Sequence, residues 1–480
     1  MGYHAQELLE AVLILPTLAF LIVSLLIGLY ASRRIQGSVR NYFVAGNVIP
    51  FWVLVFSMSG QAIELGATHD NANLVIAKGF WDGAVLPIGV GLSLILIGIF
   101  FAKPLHGMRL LTLPDYYSKR YNTTVGALVA LISTISFIIL IAGNLAGLGM
   151  LLQLALDIPP VVSIPFVATL VTIYTIAGGL FAVTWNDVLQ IGVSLVAFSV
   201  GLIWTLFHVD QEVLNQALAM RFSWGPLTQF DQGSLRVWAS LLALALGDIV
   251  ALDFMERVFA AGSPRAAQSS CIVAGLVTIA IGIALAVLGM VATVVCHGEA
   301  NGSLLLFVER TFPPGLRMLF LMGLIGAGLS TIDGAIMACS VALSRNVLSV
   351  WAPTMVPASR LLLVSRGMAV PVGVIAVLLA LVFPVPAELL VLAFDVVFSG
   401  CLVPLVLGIY WPRGTARAAV WAIVVPSVVR VILHFVFEDL GLDSRLDGLQ
   451  TLMPPILSLL LFVGISLSES ANEDASEVSR

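Results

Sequence analysis

Two adjacent hydroxyls, Ser330 and Thr331, follow Ala327 by about one helical turn in an otherwise apolar stretch. Hydroxyl oxygens of this kind, together with main-chain carbonyls, can replace the hydration shell of a bare sodium ion. A source of such carbonyls lies far away in the chain, where Ser57 to Gly66 interrupts another apolar segment with small and polar residues. Unwinding that segment between Gly60 and Ile63 leaves carbonyls without amide partners, and the Ala327 carbonyl completes the set. The competing account is structural: Ser and Thr in membrane helices hydrogen-bond their own i−4 carbonyl. Spacing alone leaves both accounts open.

Carboxylates form the second group. Glu64, Asp248, Asp253, Glu256 and Asp395 all fall inside long apolar segments. A charge at mid-bilayer costs about 2.5–3.5 kcal/mol on insertion scales, so each needs a partner or a wet cavity. Glu64 and Asp253 lie beside the two most polar interruptions, where they would face a cavity and favour an amino or other cationic solute. The alternative is an internal ion pair, for instance Glu256 with its neighbour Arg257. Asp187 follows Trp185 and Asn186 near the start of an apolar segment, where a carboxylate also suits a helix N-terminus. Asp333 directly follows the hydroxyl pair by two positions, and an inner-side arginine is one partner for it.

Other chemistry finds no support in the sequence. The four cysteines (Cys271, Cys296, Cys339, Cys401) are dispersed without CxxC spacing, which indicates neither a zinc site nor a disulfide framework. No His cluster, nucleophile elbow or P-loop occurs, so an enzyme is not expected. The net charge of −5 is thinly spread, and no basic patch interleaved with aromatics suggests a nucleic-acid partner.

The elements that must position these groups are membrane helices. Of the 480 residues, 60% are hydrophobic and 10% charged, and mean hydropathy is +1.06. Ala11 to Tyr30 and Ala127 to Leu156 carry no charge at all. About twenty apolar residues cross a bilayer as one helix, and about thirteen such segments are expected, near 11–31, 48–76, 81–103, 124–156, 159–178, 187–208, 235–257, 268–296, 315–344, 361–384, 387–411, 415–437 and 450–468. A barrel would need short alternating strands instead. With the N-terminus outside and the C-terminus in the cytoplasm, most of the 22 Lys and Arg fall in inner loops. The segments divide into a leading helix (11–31), a first group of five (48–208), a second group of five (235–411) and two trailing helices (415–468). An acidic tail (469–480) is expected to be disordered. Ser57 to Gly66 interrupts the first helix of the first five, and Leu246 to Asp253 interrupts the first helix of the second. Paired interruptions of this kind point to an inverted-repeat transporter with its site at the midplane.

Several stretches carry a family resemblance. Tyr174 to Gln190 places Gly178, Gly179, Trp185, Asn186 and Asp187 between two apolar segments, and resembles the link between the fourth and fifth core helices of the sodium:solute symporter family. Gly323 to Asp333 is similar to that family's sodium-site helix. Leu111 to Tyr121 resembles the loop after its second core helix, and Asn41 to Gly46 the inner loop before its first, with a departure at Asn47, where a basic residue is usual. Phe254 to Ser263 resembles the end of the sixth, with Glu256 where Gln is common. Leu86 to Pro104 looks nearest to the high-affinity choline transporter branch. The aromatic cage of that branch corresponds here to Ala62, Val90, Phe137 and Ala251, so three of its four aromatics are missing.

The resemblance implies an all-α polytopic membrane protein of the inverted five-helix repeat fold, with broken first and sixth core helices. It implies a sodium ion held by Gly60, Ile63, Ala327, Ser330 and Thr331, with Asp187 below it on the route to the cytoplasm. Gln61, Glu64, Phe137 and Asp253 are the expected substrate-binding residues. The implied activity is sodium-coupled uptake of a small polar organic solute, such as an amine or amino acid, across the plasma (inner) membrane. Proton coupling through Glu64 or Asp253, and a solute sensor built on the same fold, are the alternatives.

Overall fold

A computed structural model describes residues 3–296, 303–384, 386–440 and 448–478. The described residues are almost entirely helical and form no strand beyond one isolated bridge. Hydrocarbon offers no hydrogen bonds, so a spanning segment must satisfy its own backbone, and a helix does so within the segment.

The leading helix is α1 (Tyr3–Ala31). A broken helix follows, made of α2 (Phe51–Ala62) and α3 (Asn71–Ala77). Next come α4 (Phe80–Leu96), α5 (Thr123–Leu156) and α6 (Pro160–His208). The second broken helix consists of α7 (Ser234–Gly247) and α8 (Leu252–Ala260), bent by 47°. It is followed by α9 (Pro264–Val295), α10 (Pro314–Ala342), α11 (Leu361–Val382), α12 (Pro386–Gly400), α13 (Leu402–Tyr410), α14 (Ala416–Leu440) and α15 (Leu449–Val478). Ten helices of the described residues are long and apolar enough to cross a membrane. The bent pair α7 and α8 makes an eleventh if it is taken as one span, against the thirteen segments expected from the sequence.

That longest helix is α6. Its 49 residues would extend about 74 Å at 1.5 Å per residue, far more than a hydrocarbon core of about 30 Å. The chain breaks at Gly179, whose φ of 53° and ψ of −148° belong to glycine. A methyl group there would strike the ring of Tyr42 at 2.6 Å and its carbonyl at 2.7 Å. Its neighbour Gly178 lets α1 approach, since a methyl group would lie 2.7 Å from the Gly28 carbonyl. The glycine pair therefore has two separate tasks.

The broken helices meet at one end. Ile49, just before α2, accepts from Gly262, just after α8, at 3.2 Å and donates to Ala260, the last residue of α8, at 3.1 Å. Asn47 reinforces the join. It sits in the left-handed region (φ 59°), donates to the Phe259 carbonyl at 2.5 Å and accepts from Arg40 at 2.6 Å. Asn tolerates that backbone conformation better than a long basic side chain, which accounts for the departure at this position. The loop resembling the one after the second core helix forms a short helix, Leu113–Arg120, capped by Thr112 and Asp115. Asp115 also pairs with Arg345, near the end of α10, at 3.0 Å. The acidic tail departs from expectation: α15 continues to Val478, with no glycine or proline beyond Gly464 to stop it.

Candidate functional site

Four elements converge where α2 loses its helical geometry: α2, the second arm of α6, α8 and α10. The end of α2 is set by Ile63, which donates to the Ser59 carbonyl at 2.7 Å and turns off the helix with φ −95° and ψ 66°. The first polar arrangement lies one turn earlier. Thr331 Oγ1 is 3.3 Å from the Gly60 carbonyl and 3.3 Å from the Ala327 carbonyl. The hydroxyl bonds its own i−4 carbonyl, as the structural account expects, and also reaches across to α2. Gly60 makes the approach possible, because a methyl group there would overlap the Ser330 hydroxyl and lie 3.4 Å from Asp187 Oδ1. These donors are neutral hydroxyl and carbonyl oxygens, a set suited to an alkali cation. Among the described residues, no group of three or more His, Cys, Asp or Glu forms a transition-metal site.

Asp187 anchors the second arrangement. It is fully buried and well past the break at Gly179, so it is not a helix-starting interfacial acid. Its Oδ1 accepts from Ser330 and its Oδ2 from Ser57. Arg257, also fully buried, reaches Oδ2 at 3.1 Å and donates through Nε to Ser57 at 2.7 Å. One carboxylate thus links α2 (Ser57), α6 (Asp187), α8 (Arg257) and α10 (Ser330). The expected alternative pairing of Glu256 with Arg257 does not form, because the guanidinium is committed to Asp187 and to the Asp253 carbonyl at 3.1 Å. Asp333 is likewise without an arginine partner; it accepts from Tyr174, on the first arm of α6, at 2.8 Å.

The expected substrate residues divide. Gln61 is engaged with α10: its amide donates to the Ser330 carbonyl at 2.6 Å, and the bare backbone of Gly334 makes room for its head. Its Oε1 is buried without a partner. Glu64 lies in the gap between α2 and α3, buried, accepting from Asn144 of α5 at 2.9 Å. Asn144 also holds the Leu65 amide at 3.3 Å, so one side chain stabilises both the acid and the broken backbone. Phe137 is buried two turns before Asn144, on the same face of α5. Asp253 opens α8 and accepts the Phe254 amide at 2.7 Å.

Asp248 is the acid that sequence reasoning left without a role. It begins the single 3₁₀ turn separating α7 from α8, is 1% exposed, and neither of its oxygens has a hydrogen-bond partner. Glu64, Asp248 and Asp253 lie within electrostatic range of one another. Each backbone discontinuity thus carries a buried carboxylate. Ser57 was legible as a helical neighbour of Gly60, three positions away, but Asn144 lies in a featureless apolar run and gave no signal. Asp395 has a partner elsewhere: Arg430 donates to it through Nε at 3.0 Å, and Thr451 adds a hydroxyl at 3.1 Å.

An all-helical membrane bundle with two discontinuous helices meeting at a polar centre defines the secondary transporters built on paired repeats. Residues 42–425 match the model of the sodium:solute symporter family, and the chain belongs to that family. Its family and its apolar helices make it a multi-pass membrane protein, and it spans less than two thirds of the length of the first curated relatives it matches. The human high affinity choline transporter 1 is 24% identical over 371 residues, which cover 72% of this chain and 63% of that protein. The sodium/pantothenate symporter of Escherichia coli (strain K12) is 25% identical over 481 residues, covering 94% and 95%. Among solved structures, a substrate-bound, outward-open Na+-coupled sialic acid symporter superposes with a TM-score of 0.77 at 19% identity, covering 95% of this chain and 97% of that one. This last likeness establishes the fold.

Proposed function

We propose that the chain takes up a small organic solute carrying an amino or other cationic group, driven by sodium entering with it. Sodium is held between α2 and α10 by the carbonyls of Gly60, Ile63 and Ala327 and the hydroxyls of Ser330 and Thr331. Asp187 lies on its exit route to the cytoplasm. The solute lies against Gln61, Glu64, Phe137 and Asp253, and we include the buried, unpartnered Asp248 with them. The protein sits in the plasma (inner) membrane with its N-terminus outside and its C-terminus inside. The observation that carries the ion site is the Thr331 hydroxyl, equidistant from carbonyls on two different helices. What favours a cationic solute is the set of three buried carboxylates at the two breaks, whose carboxylate oxygens take no hydrogen bond from a basic side chain among the described residues; Arg257 reaches only the Asp253 carbonyl.

The test is a thermal-shift screen of the purified protein against amines, amino acids and carboxylates, each with and without sodium. Stabilisation by amines that grows with sodium supports the reading. Stabilisation by carboxylates alone, or by no class in a sodium-dependent way, overturns it. Proton coupling through Glu64 or Asp253 is the second reading, favoured by the unpartnered oxygens of the neighbouring acids Asp248 and Glu256. Uptake at fixed voltage with sodium replaced by lithium, over a range of pH, separates the two.

A further inference from the structure

A groove of about 940 Å³ lies between the first helix and α6, lined by α6 residues on the far side of that helix from Asp187. Leu26, Tyr30 and Arg34 of the first helix and its following turn form one wall, and Trp185, Leu189 and Val193 of α6 form the other. Its walls are apolar along most of their length and charged at one end. From Val23 to Arg34 the groove runs about 16 Å at the helical rise, close to one leaflet of a hydrocarbon core about 30 Å thick. Tyr30 and Trp185, 68% and 40% exposed, stand near the charged end, where amphipathic rings mark the membrane–water interface.

Arg34 lines the charged end of the groove, and its chain neighbour Arg33 lies just outside the lining. Arg33 and Arg34 are both exposed, and neither faces a carboxylate within ion-pair distance among the described residues. Each is held by an aromatic ring: Arg33 lies 5.2 Å from the Tyr30 centroid and Arg34 5.9 Å from that of Phe181. Stacking of this kind fixes a guanidinium while leaving its donors free for a phosphate.

We infer that this groove is a binding site for an anionic phospholipid, with the acyl chain along α1 and α6 and the headgroup phosphate on Arg33 and Arg34. The length, the apolar walls and the two free cations at one end together select this occupant over a neutral lipid or a soluble phosphate. On the proposed orientation the site faces the inner leaflet. The lipid braces the outer face of the helix arm that carries Asp187 on its inner face, beside the contact from Gln190 to Ser24 on α1 at 3.4 Å.

The experiment is native mass spectrometry of the full chain purified in detergent and supplied with equal amounts of phosphatidylglycerol and phosphatidylcholine. The wild type is expected to retain phosphatidylglycerol about tenfold to thirtyfold better, the range set by two arginines near an anionic leaflet. The Arg33→Gln/Arg34→Gln variant is expected to retain both lipids equally. Gly192→Phe fills the groove, since nothing lies nearer than Phe56 at 4.0 Å; it is expected to lose both lipids while eluting as a single folded species. Equal retention by the wild type overturns the inference, as does an unchanged preference in the arginine variant. Undiminished retention in Gly192→Phe places the lipid elsewhere and overturns it too. Inorganic phosphate competing away the phosphatidylglycerol would show an anion site without a lipid groove.

Discussion

Replacing Thr331 with Val removes one oxygen and keeps the branched shape of the side chain. In the structure that oxygen lies 3.3 Å from the Gly60 carbonyl and 3.3 Å from the Ala327 carbonyl, so it joins α10 to α2. For the protein without sodium, the loss is one ordinary hydrogen-bonding group, about 0.5–1.5 kcal/mol. For the sodium-bound protein the loss is an oxygen facing a full charge, about 1.5–3 kcal/mol. The shift in sodium affinity is the difference between the two, about 1–1.5 kcal/mol, so the half-saturating sodium concentration rises roughly fivefold to thirteenfold, taking tenfold per 1.36 kcal/mol. The assay is solute uptake into proteoliposomes at fixed voltage, with sodium varied and replaced by an inert cation. Sodium and solute affinities are reciprocally linked, so solute binding should weaken at low sodium and recover when sodium saturates. A Thr331→Val protein with unchanged sodium half-saturation and intact folding would refute the ion-site assignment. An equal loss of solute affinity at all sodium concentrations would do the same, because it would place the hydroxyl on the solute.

Three other substitutions test other parts of the centre. Arg257→Ala leaves Asp187 buried without its cation and should cost about 3–5 kcal/mol of stability, seen as a lower thermal midpoint; Asp187→Asn in the same chain should recover part of the loss, and strictly additive effects would argue against the pair. Gly179→Ala forces a side chain into a glycine-only conformation, costing about 1–3 kcal/mol before any overlap with Tyr42. Its yield of folded protein should fall well below that of Gly192→Ala on the same helix, and equal yields would contradict the account of the break. Glu64→Gln should weaken binding of a cationic solute by about 2–5 kcal/mol without altering the sodium-only thermal shift, whereas unchanged solute binding would remove Glu64 from the solute site.

Much of the fold was readable because membrane helices are specified by continuous apolar length, and the two breaks by small and polar residues within that length. The hydroxyl pair and Gly60 were readable for a similar reason, since polar atoms in an apolar helix demand partners. Partner identity was far less accessible. Arg257 could be matched with its sequence neighbour Glu256, yet it turns to Asp187, a choice set by how α8 packs against α6 and by the Ser57 hydroxyl between them. Gln61 was expected among the solute residues, and nothing in its spacing signals that its amide also donates to the Ser330 carbonyl. Asn144 carries no local pattern, because its role depends on a backbone break eighty positions away. Short-range sequence spacing reports helix faces; it is silent on which faces meet.

The Arg257 pairing also bears on how ion release could be tied to opening of the inner side. Asp187 has two oxygens and serves two groups of partners: Ser330 on one side, Ser57 and Arg257 on the other. Under the proposed mechanism, sodium at Ser330 and Thr331 adds a positive charge close to Oδ1, while the guanidinium stays at Oδ2. A buried carboxylate between two cations is better compensated than one beside a single cation, so sodium strengthens the contact among all four elements. When sodium leaves, Arg257 and the Ser57 hydroxyl still hold α8 and α2 against α6 at Oδ2. Because α2 and α8 are joined at Ile49 and Ala260, they must move as one unit when that contact opens. The device requires a cation on α8 with a planar, multidentate head, which lysine does not supply. Arg257→Lys should therefore bind sodium nearly as well as the parent protein but return to the outward-facing state more slowly. Solute exchange between the two sides, which bypasses the return of the empty carrier, should be less impaired than net uptake; equal impairment of both would count against this role.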